Sequence, residues 1–196
     1  MSDSAEADAA WVKVALPLAP QALREFLHDI ERLLRINPCL EFERLTRLPD
    51  GGFQLVGRNE SNSQPFATRA TLVATDEDGG LALRYDQGIK RETRFEILPD
   101  PGGSVLTITE VYAALPDQLE QSLSQVDRSL LPWAAALRAH LLRRARWQGF
   151  YGYAWLVESF WLGMPPRQRR VSRMIAWTTL LEFVAFLAVL LVYVMN

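Results

Sequence analysis

Apolar and polar residues alternate with a period of two near the start of the chain. Residues 11–16 place Val12, Val14 and Leu16 on one face. This alternation predicts a strand, because successive side chains of a strand point to opposite faces. Six further strand-like segments follow, at residues 39–48, 53–60, 66–75, 81–87, 92–98 and 104–113. The short turn-forming stretches between them predict consecutive antiparallel hairpins.

Two other parts of the chain repeat apolar residues at steps of three and four, which is the helical period. The first begins at Pro20, a favoured first helical position, and predicts a helix pair that ends at Asn37-Pro38. The second is an apolar stripe of Leu119, Leu123, Val126, Leu130, Trp133, Leu137 and Leu141. It predicts one long helix, bent at Pro132 because proline removes a backbone hydrogen bond inside a helix.

Residues 174–195 predict a transmembrane helix. They contain one charged side chain, Glu182, and at 1.5 Å per residue they extend about 33 Å, enough to cross a hydrocarbon core about 30 Å thick. A buried core helix is the alternative. The arginines just before this segment predict a cytoplasmic domain, because positive flanks are retained on that side. The first ten residues lack an apolar run, so we expect no signal peptide and a single-pass, tail-anchored protein.

Aromatic residues are concentrated between the predicted long helix and the span. They are Trp147, Phe150, Tyr151, Tyr153, Trp155, Phe160 and Trp161. Tyr and Trp favour the headgroup level of a bilayer. We therefore expect an interfacial helix that ends at Gly163 and is turned by Pro165-Pro166 into the span. A helix packed on the soluble domain and the first span of a helical hairpin are the alternatives.

Charge is divided unevenly along the chain. Residues 1–137 carry 13 Lys/Arg against 21 Asp/Glu, a net charge of −8, whereas residues 138–173 carry eight arginines against one glutamate, a net charge of +7. The basic part favours an anionic inner leaflet as a partner, and the acidic part disfavours nucleic acid. The residues predicted at the membrane interface are Arg143, Arg144, Arg146, Trp147, Tyr151, Trp155, Trp161, Arg167, Arg169, Arg170 and Arg173.

The order of one strand, a helix pair, six strands and a long helix resembles the helix-grip fold of the SRPBCC superfamily, which includes START-like lipid-transfer domains and polyketide cyclase-like proteins. The resemblance covers about residues 10–146, and it rests also on residues 14–20 leading into the first helix and on Asn37-Pro38 before the second strand. It implies an α+β fold in which a seven-stranded antiparallel sheet wraps around the C-terminal helix. The expected organisation is a disordered segment at 1–9, this domain at 10–146, an interface segment at 147–173 and a transmembrane helix at 174–195.

In that fold a cavity for an apolar ligand lies between the sheet and the long helix. The apolar candidates for its wall are Phe42, Phe53, Leu55, Leu83, Tyr85, Phe95, Ile108, Trp133 and Leu137, with plain core packing as the alternative. The polar candidates are Asn59, Arg69, Arg94, Glu110 and Tyr112. Glu110 shares a face with apolar residues, so we expect an arginine partner or a ligand contact, unless it lies at the sheet rim in water.

Few residues suggest covalent chemistry. The chain has two histidines, His28 and His140, and one cysteine, Cys39, so it lacks a zinc motif and an internal disulfide. No phosphate-binding glycine loop occurs. We therefore expect no metal and no cofactor. Glu182 is expected to contact another protein's membrane helix or a polar headgroup, or else to be protonated in the membrane.

These observations leave three functional hypotheses. The first is a membrane-tethered, cytoplasm-facing binding or transfer protein for a hydrophobic small molecule such as a lipid, isoprenoid or quinone, without covalent catalysis. The second is an accessory or assembly subunit that anchors or stabilises a membrane protein complex through its transmembrane helix. The third is a cyclase- or aromatase-type enzyme.

Overall fold

Seven strands form one sheet in which every neighbouring pair is antiparallel. The computed structural model describes residues 9–62, 66–77, 80–88, 90–112, 128–147, 149 and 151–195. The strands are β1 (Ala9–Leu16), β2 (Leu40–Arg47), β3 (Phe53–Asn59), β4 (Phe66–Glu77), β5 (Gly80–Tyr85), β6 (Lys90–Asp100) and β7 (Gly103–Tyr112). Their spatial order is β1-β7-β6-β5-β4-β3-β2. All seven predicted strands are therefore confirmed.

The sheet has an inner face, which packs against helices, and an outer face. On β7 the inner positions Leu106, Ile108 and Glu110 are 0% exposed, whereas on the other face Val105 and Thr109 are partly exposed and Thr107 is 8% exposed. This alternation is the one that the sequence predicts for a half-buried strand. The apolar core lies between the inner face and the helices.

Two short helices connect β1 to β2. Helix α1 (Pro20–Leu27) begins with proline at its first position, where a missing backbone N–H leaves no partner unsatisfied. Helix α2 (Ile30–Arg35) begins after Asp29, whose carboxylate accepts the backbone N–H of Arg32 at 3.1 Å. The predicted helix pair is confirmed, and it ends before Asn37-Pro38 as expected.

The long helix after the sheet is shorter at its start than the sequence predicts. Helix α3 runs from Leu130 to Trp147, and residues 128 and 129 before it are not helical. The backbone N–H of Trp133 bonds to the carbonyl of Ser129 at 2.8 Å, which places Pro132 in the first turn. The predicted bend at Pro132 inside one continuous helix is therefore wrong, because a first-turn proline breaks no helical hydrogen bond.

The N-terminal part of the predicted apolar stripe (Leu119, Leu123 and Val126) lies outside the described residues. The described part of the stripe packs as predicted. Leu130, Trp133, Leu137 and Leu141 are all buried in the core cluster. Helix α3 packs across β1 and β7, which makes the architecture the helix-grip α+β fold.

The chain turns sharply between the domain and its last helix. A short helix α4 (Tyr151–Ala154) continues into a π-helix (Trp155–Trp161), in which Leu162 N–H bonds to the Val157 carbonyl at 2.9 Å. Helix α5 (Pro166–Met195) then begins at a proline. The turn predicted near Gly163 and Pro165-Pro166 is thus present.

Helix α5 extends away from the domain. It has 30 residues, and its most apolar stretch has a mean hydropathy of 2.3 and is 0% buried. Every described residue from Met174 to Met195 is exposed, Glu182 among them. By length and composition, this helix could cross a membrane.

Candidate functional site

The predicted apolar cavity residues belong to the one core between the inner face and the helices. Six are buried in one apolar cluster: Leu55, Leu83, Phe95, Ile108, Trp133 and Leu137. Three are half-buried and pack against that cluster: Phe42, Phe53 and Tyr85. The structure therefore brings all nine predicted apolar residues to one region. Their role in holding a ligand stays a prediction.

Trp133 positions α3 against this region. Its side chain is 1% exposed, and its indole N–H donates to the backbone carbonyl of Leu33 at 3.0 Å. The ring meets Phe95 edge-on, with 5.5 Å between the ring centroids and 85° between the planes. A buried indole requires a hydrogen-bond acceptor. The contact with Leu33 therefore ties α3 to α2 as well as to the sheet.

An ionic cluster interrupts the apolar inner face at the end of β7. Glu110 is 0% exposed, and one of its carboxylate oxygens accepts a hydrogen bond from Lys90 Nζ at 2.5 Å. Its other oxygen accepts from the Tyr112 hydroxyl, also at 2.5 Å. Charge-assisted bonds of this kind are among the strongest in proteins, and they compensate the cost of burying a carboxylate.

Two further hydroxyl groups extend this cluster toward β5. Thr93 is paired with Glu110 across β6 and β7, and its Oγ1 lies 3.0 Å from the Tyr85 hydroxyl. Lys90 Nζ lies 5.7 Å from the centroid of the Tyr85 ring. We call Tyr85, Lys90, Thr93, Glu110 and Tyr112 the polar cluster. It combines a carboxylate, an ammonium and hydroxyl groups, which can accept a proton, stabilise an anion and donate hydrogen bonds.

The expected arginine partner of Glu110 is wrong, because the structure places Lys90 there. A bulge between Lys90 and Glu92 shifts the register of β6, so that Lys90 lies opposite Tyr112 and on the inner side of the sheet. Strict alternation from Thr93 would put Lys90 on the outer face. Sequence analysis missed Lys90 and Thr93, and a bulge leaves no reliable pattern in a single sequence.

Two of the other predicted polar residues, Arg94 and Asn59, do not join the cluster. Arg94 projects from the outer face, between the buried Thr93 and Phe95, and it pairs with Glu92 at 3.1 Å. Its predicted place in the cavity is therefore wrong. Asn59 is buried and accepts the backbone N–H of Ser61 at 2.8 Å, which stabilises the turn after β3. The side chain of Arg69 lies outside the described part.

The predicted membrane-interface residues divide into exposed and partly buried groups. The exposed ones are Arg143, Arg146, Trp147, Trp155, Arg167, Arg170 and Arg173. The partly buried ones are Arg144, Trp161 and Arg169, and the side chain of Tyr151 lies outside the described part. Contact of the exposed group with lipid stays a prediction.

The start of α5 is fastened to the domain. Arg169 donates from Nη2 to the backbone carbonyl of Arg35 at 2.8 Å, and Arg170 pairs with Glu60 at 2.6 Å. Leu162, in the turn before α5, is buried in the domain core. The junction therefore has apolar packing and polar contacts with the domain, which restricts how the domain tilts relative to α5.

His140 lies on α3 near this junction and is 4% exposed. Its ring centroid is 5.7 Å from that of Phe26. Burial, and then the positive charges of Arg143, Arg144 and Arg32, lower the pKa of His140 from 6.5 to about 4. The imidazole is therefore neutral at pH 7.

We expect His140 to make folding pH-dependent. The unfolded chain takes up a proton near pH 6.5, whereas the folded state does so only near pH 4. The stability that this group contributes is therefore present above pH 6.5 and is lost as the pH falls toward 4, by about 2 kcal/mol between pH 7 and pH 5. Urea titrations of the full chain in neutral detergent measure this loss. His140→Gln should remove it, and the exposed His28→Gln should keep it. Equal pH slopes in all three proteins would contradict the assignment.

Comparison with known proteins supports the fold. No family model matches the sequence, and no curated protein matches it. The Zhui aromatase/cyclase from Streptomyces sp. R1128 superposes with a TM-score of 0.56 at 14% identity, over 74% of this chain and 99% of its own. A norcoclaurine synthase point mutant from Thalictrum flavum, in complex with a transition-state analogue, has a TM-score of 0.54 at 14% identity, over 71% and 96%.

A START superfamily protein from Mycobacterium smegmatis has a TM-score of 0.50 at 18% identity, over 69% of this chain and 97% of its own. The structural neighbours are thus START/SRPBCC-superfamily proteins, and the resemblance inferred from the sequence is confirmed at the level of the fold. At these identities the similarity concerns the fold, which by itself carries no function.

Proposed function

We propose that this protein binds or transfers a hydrophobic small molecule (a lipid, isoprenoid or quinone) while tethered to a membrane, with its domain on the cytoplasmic side and without covalent catalysis. The observation that carries the proposal is the inner face, an apolar surface with one polar cluster at its end. A long apolar ligand with a small polar end group matches this distribution.

The energetics favour such a ligand. Each Å² of apolar ligand surface removed from water contributes about 25 cal/mol, so an isoprenoid or acyl chain would supply most of the affinity. Polar groups in an apolar pocket orient a ligand and select its end group. The hydroxyl groups of Tyr85 and Thr93 are the groups that we assign to this role, beside the Lys90–Glu110 pair. The START-like fold of the structural neighbours supports binding of hydrophobic ligands.

The tether gives the ligand a short route. If α5 spans the bilayer, the contacts of Arg169 and Arg170 with the domain hold the domain beside the lipid headgroups. A hydrophobic ligand then passes between membrane and protein through little water.

The test is to identify what the protein carries. The full chain is purified from its native membrane in mild detergent, extracted with organic solvent and examined by mass spectrometry. We expect one hydrophobic class enriched well above its share in the bulk membrane lipids. Lys90→Met/Glu110→Gln, which removes both charges of the polar cluster, should change the enriched end group, whereas the outer-face Arg94→Met should not. An extract with the composition of bulk lipids in all three proteins would overturn the proposal.

A cyclase-type enzyme is the second candidate, and the polar cluster favours it. A carboxylate beside an ammonium and a phenol can remove a proton and stabilise the resulting anion. Two of the structural neighbours are a cyclase and a norcoclaurine synthase. The same extraction separates the two functions. An enzyme with Glu110→Gln should accumulate an unreacted molecule that differs from the one on the wild type, whereas a carrier should hold the same molecule.

An accessory role in a membrane complex is the third candidate, and exposed Glu182 favours it. An ionisable side chain within a span usually faces a partner or a polar cavity. Size-exclusion chromatography of the mild-detergent preparation separates this role from the first, because a transfer protein should elute without a stoichiometric partner. A partner that is retained by the wild type and lost with Glu182→Leu would favour the accessory role.

A further inference from the structure

A pocket lies at the base of the domain, where α3, the π-helix and α5 meet. Its volume is about 350 Å³. Apolar walls come from Pro38, Val157, Trp161 and Leu162. Five basic residues also line it: His140, Arg143, Arg169, Arg170 and Arg173. We call it the basal pocket. It is distinct from the candidate site on the inner face, because its lining contains no residue of the polar cluster and none of the nine predicted apolar residues.

Among the described residues, the basal pocket has more positive charge than neighbouring carboxylates neutralise. Arg170 pairs with Glu60, which lies outside the lining. Arg143 donates from Nε to the carbonyl of Ala139 on its own helix, and Arg169 donates from Nη2 to the Arg35 carbonyl. These acceptors are neutral, and no carboxylate stands among the described lining residues. Each guanidinium has five N–H donors, and the bonds named above use one donor in each of Arg143, Arg169 and Arg170.

Two buried nitrogen atoms at the pocket also indicate that a ligand is missing from it. Arg169 Nε is buried and lacks a hydrogen-bond partner among the described residues, and so does Nε2 of the almost fully buried His140. Arg169 is also surrounded by the like charges of Arg35, Arg170 and Arg173. Burying charge without a counter-charge is unfavourable, and unsatisfied buried polar atoms are rare in native structures. An anion in the pocket would compensate both effects.

We propose that the basal pocket binds the phosphate group of a phosphorylated ligand. Guanidinium groups bind phosphate in a bidentate manner and are preferred where several donors converge on one anion. The apolar walls beside the arginines fit the glycerol and first acyl carbons of a lipid. The chemistry is shared by two sources, the headgroup of an anionic phospholipid and a free phosphate.

The position of the pocket along α5 matches a lipid headgroup. Arg173 directly precedes Met174, where the fully exposed apolar stretch begins. Arg169 lies four residues earlier, about 6 Å along the helix axis. The headgroup layer of one leaflet is roughly 5–7 Å thick beyond the hydrocarbon core. This depth argument rests on the proposed membrane tether, whereas the phosphate chemistry does not.

The test measures anion binding to the full chain in neutral detergent micelles by isothermal titration calorimetry. The probes are dihexanoyl phosphatidic acid, dihexanoyl phosphatidylcholine and inorganic phosphate. We expect saturable binding of phosphatidic acid and little binding of the zwitterionic lipid. Phosphatidic acid binding about tenfold or more tightly than inorganic phosphate assigns the lipid as the source, and equal affinity assigns free phosphate.

Two matched double variants separate the pocket from general surface charge. Arg143→Gln/Arg173→Gln removes one exposed arginine from α3 and one from α5, both lining the pocket. Arg146→Gln/Arg167→Gln removes exposed arginines from the same two helices outside the lining. We expect the first pair to weaken phosphatidic acid binding at least about tenfold and the second less than about twofold.

Two results would overturn the proposal: no saturable binding of either anion to the wild type, or equal weakening in both double variants. Near-UV circular dichroism of each variant checks that the domain is folded. The outcome is separable from the proposed function, because ligand extraction tests the inner face with substitutions in β6 and β7, far in sequence from those used here.

Discussion

Lys90→Met is expected to destabilise the folded chain by about 3–5 kcal/mol, because it leaves the Glu110 carboxylate buried without the cation that lies 2.5 Å away. The Lys90 side chain is 14% exposed and that of Glu110 is 0% exposed, so water cannot replace the lost partner. A typical domain is stable by about 5–15 kcal/mol, so the loss would be a large share of the total. Urea unfolding of the full chain in neutral detergent measures it.

Removing both charges should recover most of the free energy of unfolding that Lys90→Met loses. Lys90→Met/Glu110→Gln leaves an amide oxygen that can still accept the Tyr112 hydroxyl, so we expect a stability within about 1 kcal/mol of the wild type. Arg94→Met is the matched control. It breaks an ion pair on the outer face of the same strand, where the arginine is 39% exposed, and it should cost less than about 1 kcal/mol. Similar losses for Lys90→Met and Arg94→Met would disprove the buried pair.

Trp133→Ala is the second large effect, with an expected destabilisation of about 3–5 kcal/mol. The substitution opens a void between α3 and Phe95, and it leaves the buried Leu33 carbonyl without its indole donor. Trp133→Phe keeps much of the ring volume and should lose about 1 kcal/mol for the missing hydrogen bond together with a packing change. Near-UV circular dichroism during urea titration follows both variants.

Trp11→Ala is the control for this prediction, because Trp11 is 64% exposed on the outer face of β1. Its effect should stay below about 1 kcal/mol. A loss of less than 1 kcal/mol for Trp133→Ala would show that the side chain borders a filled ligand cavity and contributes little to core packing. In that event the substitution should change the extracted ligand instead of the stability.

The sheet was predictable because its side chains alternate between two faces. The expected period of two is present in Val12, Val14 and Leu16 on β1 and in Leu106 and Ile108 on β7. The same reasoning placed Glu110 on the face of Leu106 and Ile108, and it left open whether the carboxylate is buried or lies at the sheet rim. Prediction of the strands, the helix pair and the apolar inner face needed no long-range contacts.

The start of the long helix was misassigned because it depends on a contact distant in sequence. Pro132 was expected inside a helix, but the helix begins two residues before it, at Leu130. The apolar period alone does not locate the first helical residue. Here that residue follows Ser129, whose hydroxyl accepts a hydrogen bond from the Asn37 side chain at 3.1 Å. That acceptor lies far along the chain from Asn37, so the helix start is set partly by a long-range contact.

The residues of the polar cluster could be identified only from the tertiary structure, for a different reason. A bulge in β6 reverses the side on which Lys90 projects, and a bulge is recognised only when two strands are paired. From the sequence alone, no pattern therefore indicated which arginine or lysine lies beside Glu110. Pairing also put Thr93 opposite Glu110, which links the ion pair to Tyr85.

Composition alone indicated that the C-terminal helix is apolar enough for a bilayer and that arginines precede it, because hydropathy and charge are local properties of the chain. Which arginines would stay exposed was a matter of packing. Arg169 is partly buried and binds the carbonyl of Arg35, and Arg170 pairs with Glu60 although it stays exposed, as Arg167 and Arg173 do. These contacts depend on where Arg35 and Glu60 lie in the folded domain. The basal pocket exists for the same reason, since its arginines come from α3 and α5 and converge when Leu162 packs into the core.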